Sequence, residues 1–354
     1  MEIIYAICSW GLGHSTRSLP VIRKLIEEEN NITVISNGRA LELLKKELGD
    51  NADFIDIVDY PILISENARQ FMAKSMIYWP LFIKRIESGL QKLKKILYKK
   101  RYDLIVSDGR YDMYDRNISS YFISHQMRIM NPLRIKMFET GSEIFNRYFF
   151  NKISGVIVPD YKDYNFSGDL SHNLKKIDED MIHYVGALSD FRRKSLKKDI
   201  DYFISISGPE PQRSMLEDKI LTQVSDLEGN IVMTLGKSEK STKKIKKNLT
   251  TYSFLTKDDR EDLLNKSKLV IARSGYSTIL DLGVIGAKAL LIPTPGQIEQ
   301  EYLGQYHNLL GTYHCVNQSS VNLKKDVKTA KLTDGFKKQC DVDKTVENIL
   351  RILY

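Results

Sequence analysis

Cysteine is scarce: Cys8, Cys315 and Cys340 are all that the 354 residues carry. They are too few for a disulfide framework and lack the spacing of zinc or iron–sulfur ligands. A reducing, cytoplasmic compartment is therefore expected, and zinc or iron–sulfur chemistry is not. Long apolar runs are missing as well. Stretches such as Ile77-Tyr78-Trp79-Pro80-Leu81-Phe82-Ile83 fall far short of the roughly 20 residues of a membrane helix. The start Met1-Glu2-Ile3-Ile4-Tyr5 lacks the positive charge that opens a secretory signal. Neither a transmembrane helix nor a signal peptide is expected. No low-complexity segment or short repeat occurs, and the paired aromatics or zinc-finger spacing of a nucleic-acid module are lacking, so no nucleic-acid partner is expected.

Positive charge is in excess. Lysine and arginine number 53 against 45 aspartates and glutamates, a net +8, which calls for an anionic partner such as a nucleotide or an anionic lipid surface. Basic residues cluster over 84–101 and 237–247. In the first cluster Ile83, Ile86, Leu90, Leu93 and Leu97 recur at helical spacing, which predicts an amphipathic helix with its charges outward. That outer face is a solvated surface in the plain reading and a contact with the inner face of a membrane in the alternative.

The length suits two domains, each with its own core. Strand-like runs Glu2–Cys8, Asn31–Ser36, Phe54–Val58, Asp103–Ser107, Tyr121–Ser124 and Gly155–Pro159 alternate with helices over Thr16–Glu29 and Ala40–Leu48 and with the basic helix. Tyr60–Trp79 reads as a looser stretch. A charged linker, Asp190–Asp201, precedes a second alternation: strands Asp201–Ile206, Asn230–Leu235, Tyr252–Leu255, Lys268–Ile271 and Ala289–Ile292, with helices between them. Such alternation implies right-handed βαβ units and parallel sheets. The expected fold class is α/β with two Rossmann-like domains, 1–189 and 190–342.

Two turns stand where ligands bind in such sheets, at the carboxyl ends of strands. In the second half, Ala272-Arg273-Ser274-Gly275-Tyr276-Ser277-Thr278-Ile279-Leu280-Asp281 reads as strand end, tight turn and helix. Ser274 is the expected N-cap, and with Gly275 it would present helix N–H groups to a diphosphate. Asp281, close to two turns further on, would accept from a ribose diol. The plain alternative is a capped crossover helix with one exposed acid. In the first half, Gly11-Leu12-Gly13-His14-Ser15-Thr16 follows the first strand. It has neither the third glycine of a dinucleotide fingerprint nor the lysine of a P-loop, and no acid ends the second strand, which disfavours NAD. Arg39 leaves NADP open. His14, on a glycine turn, is the candidate general base, since an imidazole can take the proton of an attacking hydroxyl near neutral pH. Asp108, His125 and Gln126, at or after strand ends, are candidates on the acceptor side.

These turns, with Ser207-Gly208-Pro209-Glu210-Pro211-Gln212-Arg213 and Pro293-Thr294-Pro295-Gly296-Gln297 through Gln300, resemble GT-B glycosyltransferases, and within them the MurG-like, family 28 type N-acetylglucosaminyltransferases. The resemblance spans most of the chain in matching order. It implies two domains facing across a cleft, an acceptor on the first, a UDP-sugar as co-substrate on the second, and inverting transfer without an obligatory metal. Carried over by similarity, His14 is the base or its orienting partner. Gly13, Gly208, Arg213, Ser274 and Gly275 meet the diphosphate, Leu255 and Asp281 the nucleoside, and Glu299 with Gln300 the donor sugar. A last helix, about 343–354, would pack back on the first domain. The chain departs from that branch at His125-Gln126-Met127-Arg128 and at Ser207-Gly208-Pro209, so the resemblance carries the reaction class and leaves the hydroxyl acceptor, lipid-linked or not, open. A UDP-sugar 2-epimerase and a non-catalytic nucleotide-sugar binding module are the alternatives.

Overall fold

A computed structural model describes residues 1–60, 68–131, 133–237 and 242–354, without the side chains of 68–77. The chain forms two compact units, Met1–Asp190 with Asp341–Tyr354, and Phe191–Cys340.

In the first unit β1 (Glu2–Ile7), α1 (Gly13–Glu27), β2 (Asn31–Ser36), α2 (Gly38–Leu48), β3 (Asp53–Asp56), α3 (Ala68–Lys99), β4 (Leu104–Asp108), β5 (Ser119–Ile123), α4 (Lys136–Phe150), β6 (Gly155–Val158) and β7 (Ile182–Tyr184) follow in order. The seven strands are parallel, in the order β3-β2-β1-β4-β5-β6-β7. β1 is central. Its residues Ile3 to Ile7 are fully buried, as a strand covered by helices on both faces requires.

The second unit runs β8 (Ile200–Ser205), α5 (Gln212–Gln223), β9 (Ile231–Thr234), β10 (Lys243–Lys246), β11 (Leu249–Tyr252), α6 (Lys257–Lys266), β12 (Ser267–Ala272), α7 (Tyr276–Ile285), β13 (Ala289–Leu291), α8 (Ile298–Leu309), β14 (His314–Cys315) and α9 (Leu323–Lys331). Its order is β10-β11-β9-β8-β12-β13-β14, parallel except for the β10–β11 hairpin. Its largest core cluster gathers Ile204, Ile231, Met233, Ile271 and Leu290 on one face of the sheet, covered by Leu216 and Ile220 of α5 and by Leu323 and Val327 of α9.

The final helix, α10 (Val342–Leu353), returns to the first unit and packs on α1. Val346, Ile349, Leu350 and Leu353 are buried there. The Tyr354 hydroxyl accepts from Asn30 Nδ2 at 2.9 Å and donates to Glu28 at 2.8 Å.

Two expectations need correction, and the second basic cluster gains a structure. Residues 61–67 of the stretch read as loose lie outside the described residues, but from Ala68 the backbone is already helical, as the first turns of α3. The inward stripe of α3 follows the expected spacing but starts later: Leu93 is buried and Ile86, Leu90 and Leu97 are half-buried, whereas Ile83 is 47% exposed. The basic stretch 237–247, of which 238–241 lie outside the described residues, contributes the edge strand β10. Its four residues are all exposed, and lysines at such an edge discourage pairing with other chains.

Gly89 explains how α3 is seated. A Cβ at this position would lie 2.0 Å from Asp112 Oδ2, and Asp112 is held by Arg110 at 3.0 and 2.7 Å, both side chains buried. Helix propensity alone says Gly89→Ala gains roughly 0.5–1 kcal/mol. The contact reverses the sign: the substitution is expected to cost about 1–3 kcal/mol. Urea unfolding of the two proteins decides between the signs.

Candidate active site

In an open α/β sheet the crevice for ligands lies where the strand order reverses. In the first unit that place is between β1 and β4, which pair Ile7 with Asp108. α1 begins just beyond β1, so His14 enters on its first turn, opposite the last residue of β4. His14 Nδ1 lies 2.7 Å from Asp108 Oδ1. The carboxylate is wholly buried and also accepts from Arg17 Nε at 2.8 Å, from Arg17 Nη2 and from Ser18 Oγ at 2.9 Å. Burial pushes the Asp108 pKa up, but Arg17 and His14 outweigh it and hold the group well below the usual carboxylate range. An ionised carboxylate only accepts, so the short contact assigns the proton to Nδ1 and leaves the Nε2 lone pair as the basic site. Arg17 Nη2, 2.9 Å from Nδ1, shares the same acceptor oxygen.

The ring has room because of Gly109, at φ +73°. A Cβ there would sit 3.1 Å from His14 Cε1. His125 joins the cluster, with Nδ1 3.3 Å from Arg17 Nη1. Gln126 is placed beside it, its backbone N–H donating to Ser124 Oγ at 3.0 Å. Asp108 is thus the partner that orients His14. Arg17 and Ser18 were not among the sequence candidates; Arg17 stands three residues from His14 on the same helix face, the one signal that pointed to it.

The second unit repeats the arrangement. Its order reverses between β8 and β12, which pair Ser205 with Ala272. The loop holding Gly208 follows the first strand, and Arg273-Ser274-Gly275 follow the second. The expected cap is corrected: Gly275 is the N-cap of α7, no side chain caps the first turn, and the Ser274 hydroxyl donates to the Gln300 carbonyl at 2.7 Å. Ser274 is fully buried and ties the helix start to α8. Gln300 is committed too, its Oε1 accepting from Thr294 N–H at 2.9 Å and its Nε2 donating to Gln297 at 2.5 Å. A Cβ on Gly275 would lie 3.7 Å from that Nε2, so Gly275, Ser274 and Gln300 come together. Gly208 (φ +115°) comes close to Thr294 and Arg273.

Arg213 lies on α5, where its guanidinium pairs with Glu217 at 3.0 Å and with Glu210. Asp281 is half-buried on α7 and Glu299 half-buried on the first turn of α8, while Leu255 lies half-buried in the loop after β11. Gly13 opens α1 in the first unit. Among the described residues no three His, Cys, Asp or Glu side chains gather as a metal site, and no helix is long and apolar enough to cross a membrane.

Comparison with known proteins points to glycosyl transfer and to the GT-B fold. Residues 1–121 match the model "Glycosyl transferase family 1", and residues 212–339 match "Glycosyltransferase family 28 C-terminal domain". An uncharacterized glycosyltransferase of Methanosarcina mazei is 27% identical over 327 residues, covering 85% of this chain and 82% of the relative. The UDP-N-acetylglucosamine--N-acetylmuramyl-(pentapeptide) pyrophosphoryl-undecaprenol N-acetylglucosamine transferase of Finegoldia magna is 24% identical over 348 residues, covering 91% and 85%. The calicheamicin glycosyltransferase CalG4 superposes with a TM-score of 0.65 at 13% identity, over 99% of this chain and 94% of that one. The protein is a MurG-like glycosyltransferase with the GT-B fold.

Proposed function

We propose that this glycosyltransferase moves a sugar, with inversion at the anomeric carbon, from a UDP-sugar such as UDP-N-acetylglucosamine to a hydroxyl acceptor. The observation that carries the reading is the His14–Asp108 pair at the first unit's switch point. His14 Nε2 takes the hydroxyl proton as that oxygen bonds to the anomeric carbon, while the bond from that carbon to the diphosphate oxygen breaks and the nucleoside diphosphate leaves with the electron pair. The N–H groups at the start of α7 take up the developing charge, so fixed donors do the work a metal would do elsewhere. The donor named for the Finegoldia magna relative supports a UDP-sugar. The same relative acts on a lipid-linked acceptor, and we extend that class to this chain. Exposed Trp79, Leu81 and Ile83 next to Lys84 and Arg85 support a peripheral contact of α3 with the inner membrane face, which cosedimentation with anionic vesicles checks.

The test is incubation with UDP-N-acetylglucosamine and hydroxyl acceptors, including polyprenyl-linked sugars, in the presence of a chelator. Expected are acceptor-dependent UDP release and, by NMR, a product of inverted configuration. A manno product formed without acceptor would mean epimerisation instead, and a retained configuration would remove the single displacement. On the donor side, Asp281→Ala is expected to weaken UDP binding by about 1.5–3 kcal/mol, the scale of a hydrogen bond to a charged group. Unchanged calorimetric affinity would take Asp281 out of the nucleoside site.

A further inference from the structure

Four arginines are buried among the described residues: Arg17, Arg110, Arg128 and Arg273. The first three each hold a carboxylate, on Asp108, Asp112 and Glu143. Arg273, 2% exposed, holds none. Its Nε donates to the Ser207 carbonyl at 3.3 Å, Nη1 to those of Ile292 and Pro293 at 3.2 and 3.0 Å, and Nη2 to that of Gln212 at 2.9 Å. Every acceptor is neutral. Burial, with no acid to oppose it, lowers the Arg273 pKa to about 10. A desolvated charge without a counter-charge is costly; the four carbonyls offset part of that cost, and an anion brought close offsets more.

The carbonyls it holds belong to the loops on either side of the α7 start. In a trans peptide the C=O and the N–H point in opposite directions. With the Ser207 carbonyl turned to the guanidinium, the Gly208 N–H is turned away from it. A second observation converges on the same place. Thr294 is 3% exposed and its hydroxyl has no hydrogen-bond partner. A Cβ on Gly208 would lie 3.5 Å from that hydroxyl oxygen and 3.7 Å from Arg273 Nε. One unmatched cation and one unpaired hydroxyl therefore lie under the side-chain-free face of Gly208.

We infer that Arg273 is a positioning residue for the donor's diphosphate, setting the peptide groups that bind it and supplying the counter-charge beneath them, with the Thr294 hydroxyl aimed at the same subsite. The inference rests on the nucleoside-diphosphate donor proposed above. It gives Arg273 the part that Arg213, already paired with two glutamates, is poorly placed to fill.

The test titrates UDP and uridine, by calorimetry and ligand-observed NMR, against wild type, Arg273→Lys, Arg273→Gln and Thr294→Val. Arg273→Gln is expected to weaken UDP binding about 10- to 100-fold, the range of a buried charge acting at short distance, and to leave uridine binding unchanged. Arg273→Lys is expected to restore most of the UDP affinity, because the charge remains. Thr294→Val is expected to weaken UDP binding several-fold with an unfolding temperature equal to or above that of wild type, since it removes an unpaired buried hydroxyl. This variant keeps the test decisive if Arg273→Gln does not fold. Equal losses of UDP and uridine in Arg273→Gln, or a lysine variant as weak as the glutamine one, would overturn the role of Arg273. UDP affinity in Thr294→Val equal to wild type would overturn that of the hydroxyl. A wild type that binds no nucleoside diphosphate would instead remove the donor reading itself.

Discussion

His14→Ala lowers turnover about 10²- to 10⁴-fold, the usual contribution of a general base, and leaves UDP affinity unchanged. The asymmetry follows from where the side chain stands. His14 belongs to the first unit, on the first turn of α1, whereas, Gly13 aside, the groups assigned to the diphosphate and nucleoside belong to the second. Deleting the imidazole removes a proton acceptor used only as the acceptor oxygen attacks, so kcat falls and donor affinity does not. The ring is about one-fifth exposed, which gives a hydroxyl access to Nε2 while Nδ1 is held by Asp108. Transfer assays showing less than about a tenfold loss would take His14 out of the proton transfer.

Asp108→Asn carries two effects of different origin. The first is on activity. An amide beside Nδ1 no longer selects the Nδ1–H tautomer, and a loss of about 10²- to 10⁴-fold in kcat is expected by analogy with other carboxylate–histidine pairs. The second is on folding. Arg17 loses its counter-charge while buried, and breaking one side of such a pair costs about 3–5 kcal/mol, read as earlier urea unfolding of the first unit. The pH dependence separates the variant from wild type. The Asp108 pKa is depressed in the native protein, so its contribution is complete above the unfolded value of about 3.9 and is lost as pH falls through the lower native value. Wild type therefore loses stability in that acid window, and Asp108→Asn has already lost it at neutral pH. A variant with wild-type urea midpoint and wild-type kcat would leave the Asp108 cluster with neither role.

Much of the fold is legible in the sequence because its strands are buried on both faces. Runs such as Ile3 to Ile7 and Leu269 to Ala272 are apolar without alternation, and the turns after them carry the glycines. What escapes is whatever depends on a distant neighbour. β10 is four residues of mostly lysine and shows no strand pattern of its own; its pairing with β11 makes it a strand. Ser274 has the composition of a cap, yet the Gln300 carbonyl, 26 residues away, takes its hydroxyl and shifts the cap to Gly275. His14 can be singled out on its turn, but its bond to Asp108 needs β1 and β4 side by side, 94 residues apart in the chain. Arg273 stands in plain view at the end of an apolar strand. Its lack of an acid is a property of the packed unit, and no local pattern announces it.

The return of α10 to α1 has a bearing on biosynthesis. Translation at the usual rate needs about 10–30 s to pass through residues 191–340. During that interval the emerging first unit displays the apolar groove on α1 that Val346, Ile349 and Leu353 later fill. The second unit has everything it needs to collapse before the first is finished. The earliest-made half is therefore completed after the second, and the nascent chain carries an uncovered apolar stripe on α1 until α10 leaves the ribosome.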